Sequence, residues 1–109
     1  MDYTNLYING LWQEGSGQER FDVLNPATEE VIASVASADI ADADAALDAA
    51  EAAMVIWAAQ TPRHRSEVLR RAWELMTARL EEFARLITLE NGKARADAMG
   101  EAAYAAEFF

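Results

Sequence analysis

The hydrophobic rhythm of the chain changes once, near residue 38. Ahead of that point the apolar positions come in short runs separated by turn-forming residues. Leu6-Tyr7-Ile8 and Leu11-Trp12 flank Asn9-Gly10. Asn-Gly between two apolar runs predicts a tight hairpin, because both turn residues must take positive φ. Phe21-Asp22-Val23-Leu24 and Val31-Ile32-Ala33-Ser34-Val35 are two further β-rich runs. Asn25-Pro26-Ala27-Thr28 separates them, and Pro26 drives Asn25 out of the helical region to start a turn. Gly15-Ser16-Gly17 predicts another turn. Residues 1–36 therefore read as strands and turns.

Beyond residue 38 the period becomes helical. Asp39 is a good N-cap, with Asp42 three residues on in a weak capping-box arrangement. Ala43, Leu47, Ala50, Met54 and Trp57 recur at helical spacing and predict a buried stripe, with Asp44, Asp48 and Glu51 on the opposite side. Thr61-Pro62 predicts the next start, a threonine cap followed by proline at the first helical position. Val68, Leu69, Ala72, Leu75 and Met76 form its apolar face, and Glu67 stands four residues ahead of Arg71 in the favourable order for an ion pair. The pattern restarts around Ala78-Arg79, placing Leu80, Phe83, Leu86 and Ile87 inward and Glu81 and Arg85 outside. Asn91-Gly92 is a stop, since glycine suits the left-handed cap. A last helix follows, with Met99, Tyr104 and Phe108 on one side.

The predicted fold class is α+β: N-terminal β-hairpin strands followed by about three α-helices, spanning 39–59, 62–91 and 94–109. No internal repeat or linker divides the chain, so it reads as a single segment. Residues 102–109 keep a helical pattern without a stop signal and end on two phenylalanines. Chain ends are ordinarily polar, so the sequence is expected to be the first part of a longer protein.

Composition adds alanine: 24 of 109 residues, nearly all after residue 32. That density favours helix and close helix approach. The net charge is -10, all of it in residues 1–60, where eleven acids face a single base, Arg20. A charge of that sign repels phosphate backbones and anionic lipid, which argues against nucleic-acid and membrane partners. No apolar run approaches the roughly 20 residues that span a bilayer. The N-terminus lacks the basic and apolar regions of a signal peptide, so a cytoplasmic location is expected.

Candidate chemistry is sparse. The chain has no cysteine and one histidine, His64. It therefore supplies no thiolate nucleophile, disulfide or multi-histidine metal site. Gly15-Ser16-Gly17 begins like a dinucleotide loop, but position 20 is Arg20 and the segment lies between strands, so it reads as a turn. His64, between Arg63 and Arg65, reads as a solvated or cap-packing side chain. Asp44, Asp48 and Glu51 read as a solvated helix face, because exposed carboxylates at that spacing do not enclose a cation.

The ordered pieces resemble a known family. Leu6-Tyr7-Ile8-Asn9-Gly10-Leu11-Trp12 resembles the opening "ING-x-W" of aldehyde dehydrogenases. Asn25-Pro26-Ala27-Thr28 with Glu30-Val31-Ile32 resembles their "NPAT…VI", and Leu86-Ile87-Thr88-Leu89-Glu90-Asn91-Gly92-Lys93 is similar to "L-x-T-L-E-x-GK". Ala98-Met99-Gly100-Glu101 with Tyr104-Ala105-Ala106 looks like the succinate-semialdehyde dehydrogenase branch. Ala94 departs from the family's usual proline.

The resemblance implies a larger α/β fold, with this segment on the cofactor-binding-domain side. It also implies NAD(P)-dependent oxidation of an aldehyde to a carboxylic acid by a cysteine thiolate and a glutamate base. Those residues lie outside these 109, so no catalytic and no cofactor-binding residue is carried over. The segment alone is expected to bind neither NAD nor NADP and to hold no metal. Its partners would be the rest of its own polypeptide and, for the whole enzyme, a small aldehyde and further copies in a homo-oligomer. Tyr104 and Phe108 lie on a helix that borders the aldehyde entrance in relatives, and they read either as substrate-tunnel wall or as core. The competing reading is a stand-alone acidic helical interaction module without enzymatic activity.

Overall fold

The computed structural model describes residues 3–109. Four short strands precede four helices. The strands are β1 (Leu6–Ile8), β2 (Leu11–Gln13), β3 (Arg20–Leu24) and β4 (Val31–Ala36). The helices are α1 (Ile40–Ala58), α2 (Pro62–Thr77), α3 (Leu80–Asn91) and α4 (Arg95–Ala106). The chain forms two compact units. One holds residues up to Val23 together with Val31–Ala59, and the other holds Leu24–Glu30 together with Gln60–Phe109.

In the first unit the Asn-Gly hairpin forms as its residues demand. Asn9 and Gly10 take φ of 49° and 80°, and the antiparallel register pairs Leu6 with Gln13, Tyr7 with Trp12 and Ile8 with Leu11. Trp12 gathers both neighbouring tyrosines, with ring centroids 5.3 Å from Tyr3 and 5.0 Å from Tyr7. β3 and β4 form a second two-stranded sheet. Arg20 ties this layer together. Its Nη1 donates to Asn5 Oδ1 and the Glu14 carboxylate, and its Nη2 donates to Thr4 Oγ1 and the Ser34 carbonyl.

The capping box at α1 is complete: the Asp39 side chain accepts from the backbone of the first turn, and the Asp42 side chain accepts from the Asp39 N–H. The predicted buried stripe of α1 is not buried. Leu47 is 68% exposed and Met54 62%, Ala43 and Ala50 are also open, and Trp57 is 38% exposed. Apolar residues occur on every side of α1, with Ile40, Val55 and Ile56 open as well, and the three-residue β1 that packs on it is too small to cover them.

The second unit begins with a compact loop. The Asn25 N–H donates to the Glu30 carbonyl, and Asn25 Oδ1 accepts from the Ala27 N–H. Thr61 caps α2 by accepting from the His64 N–H, with Pro62 at the first helical position. The stretch predicted as one helix over 62–91 is two, broken at Ala78-Arg79. Arg79 leaves helical geometry at φ -118°, ψ 18°. Its guanidinium bonds the Glu82 carboxylate at 2.7 and 2.8 Å and lies 5.5 Å from the Phe83 ring centre. Glu67 pairs with Arg70 rather than Arg71, and Glu81 pairs with Arg95 rather than Arg85.

α3 ends at Gly92 in the left-handed conformation, φ 77°, and α4 folds back on α3. Alanines make this packing: Ala84, Ala98, Ala102 and Ala106 are buried, and no large side chain is fully buried among the described residues. Residues 98, 102 and 106 are spaced by four, so they form one close-approach face. The last helix stops at Ala106 rather than 109. Phe108 and Phe109 lie in a following turn, closed by the Phe109 N–H donating to the Ala106 carbonyl.

Candidate functional site

The Gly15-Ser16-Gly17 turn faces the first turn of α1. Its backbone already serves a carboxylate. Asp42, in the first turn of α1, is 5% exposed. Its oxygens accept from the Ser16 N–H at 3.0 Å, the Ser16 Oγ–H at 3.2 Å and the Asp39 N–H at 3.0 Å. A pyrophosphate at this turn would compete with the aspartate for the Ser16 amide. The bond from the Asp39 backbone, then the one from the Ser16 backbone, holds the Asp42 carboxyl below the usual carboxylate range. The sequence alone marks Asp42 only as a capping residue. The signal it lacks is the pairing of that acid with the donors of a Gly-Ser-Gly turn.

Tyr104 and Phe108 come together. Their rings meet edge to face, with centroids 5.0 Å apart at 86°. Tyr104 is 66% exposed and Phe108 71%, so among the described residues neither belongs to the core. The reason is geometric: Tyr104 follows Ala102 and precedes Ala106 by two residues each, which turns it away from the alanine face by more than a right angle. Gly100 stands one helical turn before Tyr104, and a Cβ placed there would meet nothing within 4 Å. Gly100, Tyr104 and Phe108 therefore form one open row.

The Glu90-Asn91-Gly92-Lys93 motif spans the end of α3. Gly92 makes the left-handed cap, and a Cβ on it would lie 3.0 Å from Pro26 Cγ. Lys93 pairs with Glu101 across the turn from α3 to α4, and Arg95 pairs with Glu81. Met76, Phe83, Leu86, Ile87, Ala102 and Ala105, with Glu90 and Glu101, line an open groove of about 340 Å³.

The remaining candidates stay apart. His64 is exposed at the start of α2. Asp44, Asp48 and Glu51 lie on the open side of α1. Among the described residues no three His, Cys, Asp or Glu side chains are grouped to hold a metal ion. Among the same residues no helix is long and apolar enough to cross a membrane. The chain contains no cysteine.

Comparison with known proteins bears directly on this arrangement. The sequence profile of the Aldehyde dehydrogenase family matches residues 12–109. A glutarate-semialdehyde dehydrogenase of Pseudomonas putida is 45% identical over 102 residues, covering 94% of this chain and 21% of that protein. A succinate-semialdehyde dehydrogenase of Paenarthrobacter nicotinovorans is 58% identical over 78 residues, covering 72% and 17%. The crystal structure of an NADP-dependent enzyme from E. coli superposes with a TM-score of 0.93 at 40% identity, covering 96% of this chain and 22% of that one. The chain thus spans about one fifth of the length of the relatives it matches. With α1 to α4, the caps at Asp39 and Thr61 and the glycine-ended α3 all inside the matched residues, the chain belongs to the aldehyde dehydrogenase family.

Proposed function

We propose that these residues form the opening, non-catalytic part of an NAD(P)-dependent aldehyde dehydrogenase. Its substrate would be a short aldehyde bearing a distal carboxylate, succinate semialdehyde or the one-carbon-longer glutarate semialdehyde, oxidised to the dicarboxylic acid. The observation that carries this reading is the likeness to semialdehyde dehydrogenases, in sequence over 94% and 72% of the chain and in backbone over 94%.

The chemistry requires a nucleophile at the aldehyde carbon and a hydride acceptor. A bound nicotinamide would supply the acceptor. This chain has no cysteine for the nucleophile, and its Gly-Ser-Gly turn is occupied by Asp42, so no step is routed through these residues. Their contribution is shape. The exposed apolar residues of α1 suit burial against the rest of the polypeptide. The Tyr104–Phe108 pair suits a wall of the aldehyde approach, where edge-to-face rings hold each other in place. The whole enzyme would act in the cytoplasm as a homo-oligomer.

A chimera tests this reading. Residues 1–109 replace the matching segment of the Pseudomonas putida glutarate-semialdehyde dehydrogenase, and formation of reduced nicotinamide is followed with succinate and glutarate semialdehydes. The chimera should oxidise at least one of them, while the 109-residue chain alone should oxidise neither. A folded chimera inactive on both, or purification-resistant activity from the short chain, overturns it.

A further inference from the structure

We infer that the Asp42 carboxylate latches the Gly15–Gln18 turn to the start of α1, so that the two open and close as one unit. The turn and the helix start are 26 residues apart in sequence, yet both give their donors to one side chain. Ser16 contributes its N–H and its hydroxyl, and Asp39 contributes the N–H of the cap residue itself. Two backbone amides with one acceptor group are coupled by necessity: when the carboxylate leaves, both lose their partner together.

The Gly15 backbone lies close against the Ser37 carbonyl. A Cβ on Gly15 would lie 2.1 Å from the Ser37 carbonyl oxygen, and one on Gly17 would lie 3.6 Å from Asp39 Oδ2. The turn therefore rests directly on the residues that lead into α1. It also stores local strain. Gln18 closes the turn by donating its N–H to the Gly15 carbonyl at 2.8 Å, and does so at φ 56°, a left-handed conformation that a residue with a Cβ avoids. The Ser37 N–H also donates to the Glu19 carbonyl just beyond the turn, at 2.8 Å, but Ser16, inside the strained turn, is held from α1 by the Asp42 carboxylate and is poised to relax when that carboxylate is withdrawn. Because coupling is reciprocal, disturbing the turn must loosen the helix start, and disturbing the helix start must loosen the turn.

Hydrogen exchange of the full chain, read by mass spectrometry on peptides covering residues 13–18 and 37–43, tests the latch. Asp42→Asn presents one NH₂ where an acceptor is needed, and should accelerate exchange in both peptides together by about tenfold or more. Exchange in α3 and α4 should stay unchanged. Ser16→Ala removes only the hydroxyl bond on the turn side and should raise exchange in both peptides by a smaller common factor, which keeps the test sound if Asp42→Asn does not fold. Acceleration confined to one peptide, no change in either, or an equal rise throughout the chain overturns the latch.

Discussion

Arg20 is the only base among the first sixty residues, and its guanidinium reaches Thr4, Asn5, Glu14 and Ser34. Asp42 plays the complementary part, an acid that collects backbone donors from two segments. Neither role is legible in the sequence beyond the capping position of Asp42, because both depend on pairings many residues apart. Asp42 also sets a pH dependence. Its folded pKa lies below the ordinary value of 3.8, through the Asp39 and then the Ser16 backbone bonds. Its contribution to stability is therefore complete well above pH 3.8 and is lost as the pH falls through that value toward the lowered one. Thermal melts at a series of pH values should show a decline between about pH 5 and 3 that is steeper in the natural chain than in Asp42→Asn. Parallel declines would remove Asp42 from the account.

Elements are legible where the determinants are local. Asn9-Gly10, Asp39, Thr61-Pro62 and Gly92 each place a turn, a cap or a stop using one or two residues, and each does so in the structure. The break at Ala78-Arg79 shows only as a change of pattern, since no glycine or proline marks it. The stripe on α1 misleads because period alone says which residues share a side, not whether anything lies over them. The same gap keeps the sequence from deciding between core and substrate-tunnel wall for Tyr104 and Phe108. Gly100 offers an element-scale test. It lies inside α4, and a methyl group added there would enter open space, so Gly100→Ala should gain the helix preference of alanine without a clash. Denaturant unfolding should show stabilisation of about 0.5–1 kcal/mol. A loss of stability would mean that something not apparent in the α4 packing needs the glycine.

At the scale of the molecule, the dominant property is uncovered apolar surface. Ile40, Leu47, Met54, Val55 and Ile56 are each more than 60% open on α1 alone. Such a surface associates with whatever apolar surface it meets. The 109-residue chain should therefore self-associate in sedimentation experiments, and Leu47→Glu, which puts a charge on that surface, should shift it toward monomer. A monomer at all concentrations before substitution would count against this. The second unit has a further property that follows from how it is threaded. Its loop at Leu24–Glu30 is separated in sequence from the helices it joins, and Pro26 rests against Gly92, about 66 positions later. During synthesis at about 5–20 residues per second, Pro26 waits roughly 3–13 s for its partner to be made. Through that interval the Asn-Pro turn lacks its final contact, whereas both strands of the Asn-Gly hairpin are made before Pro26 is.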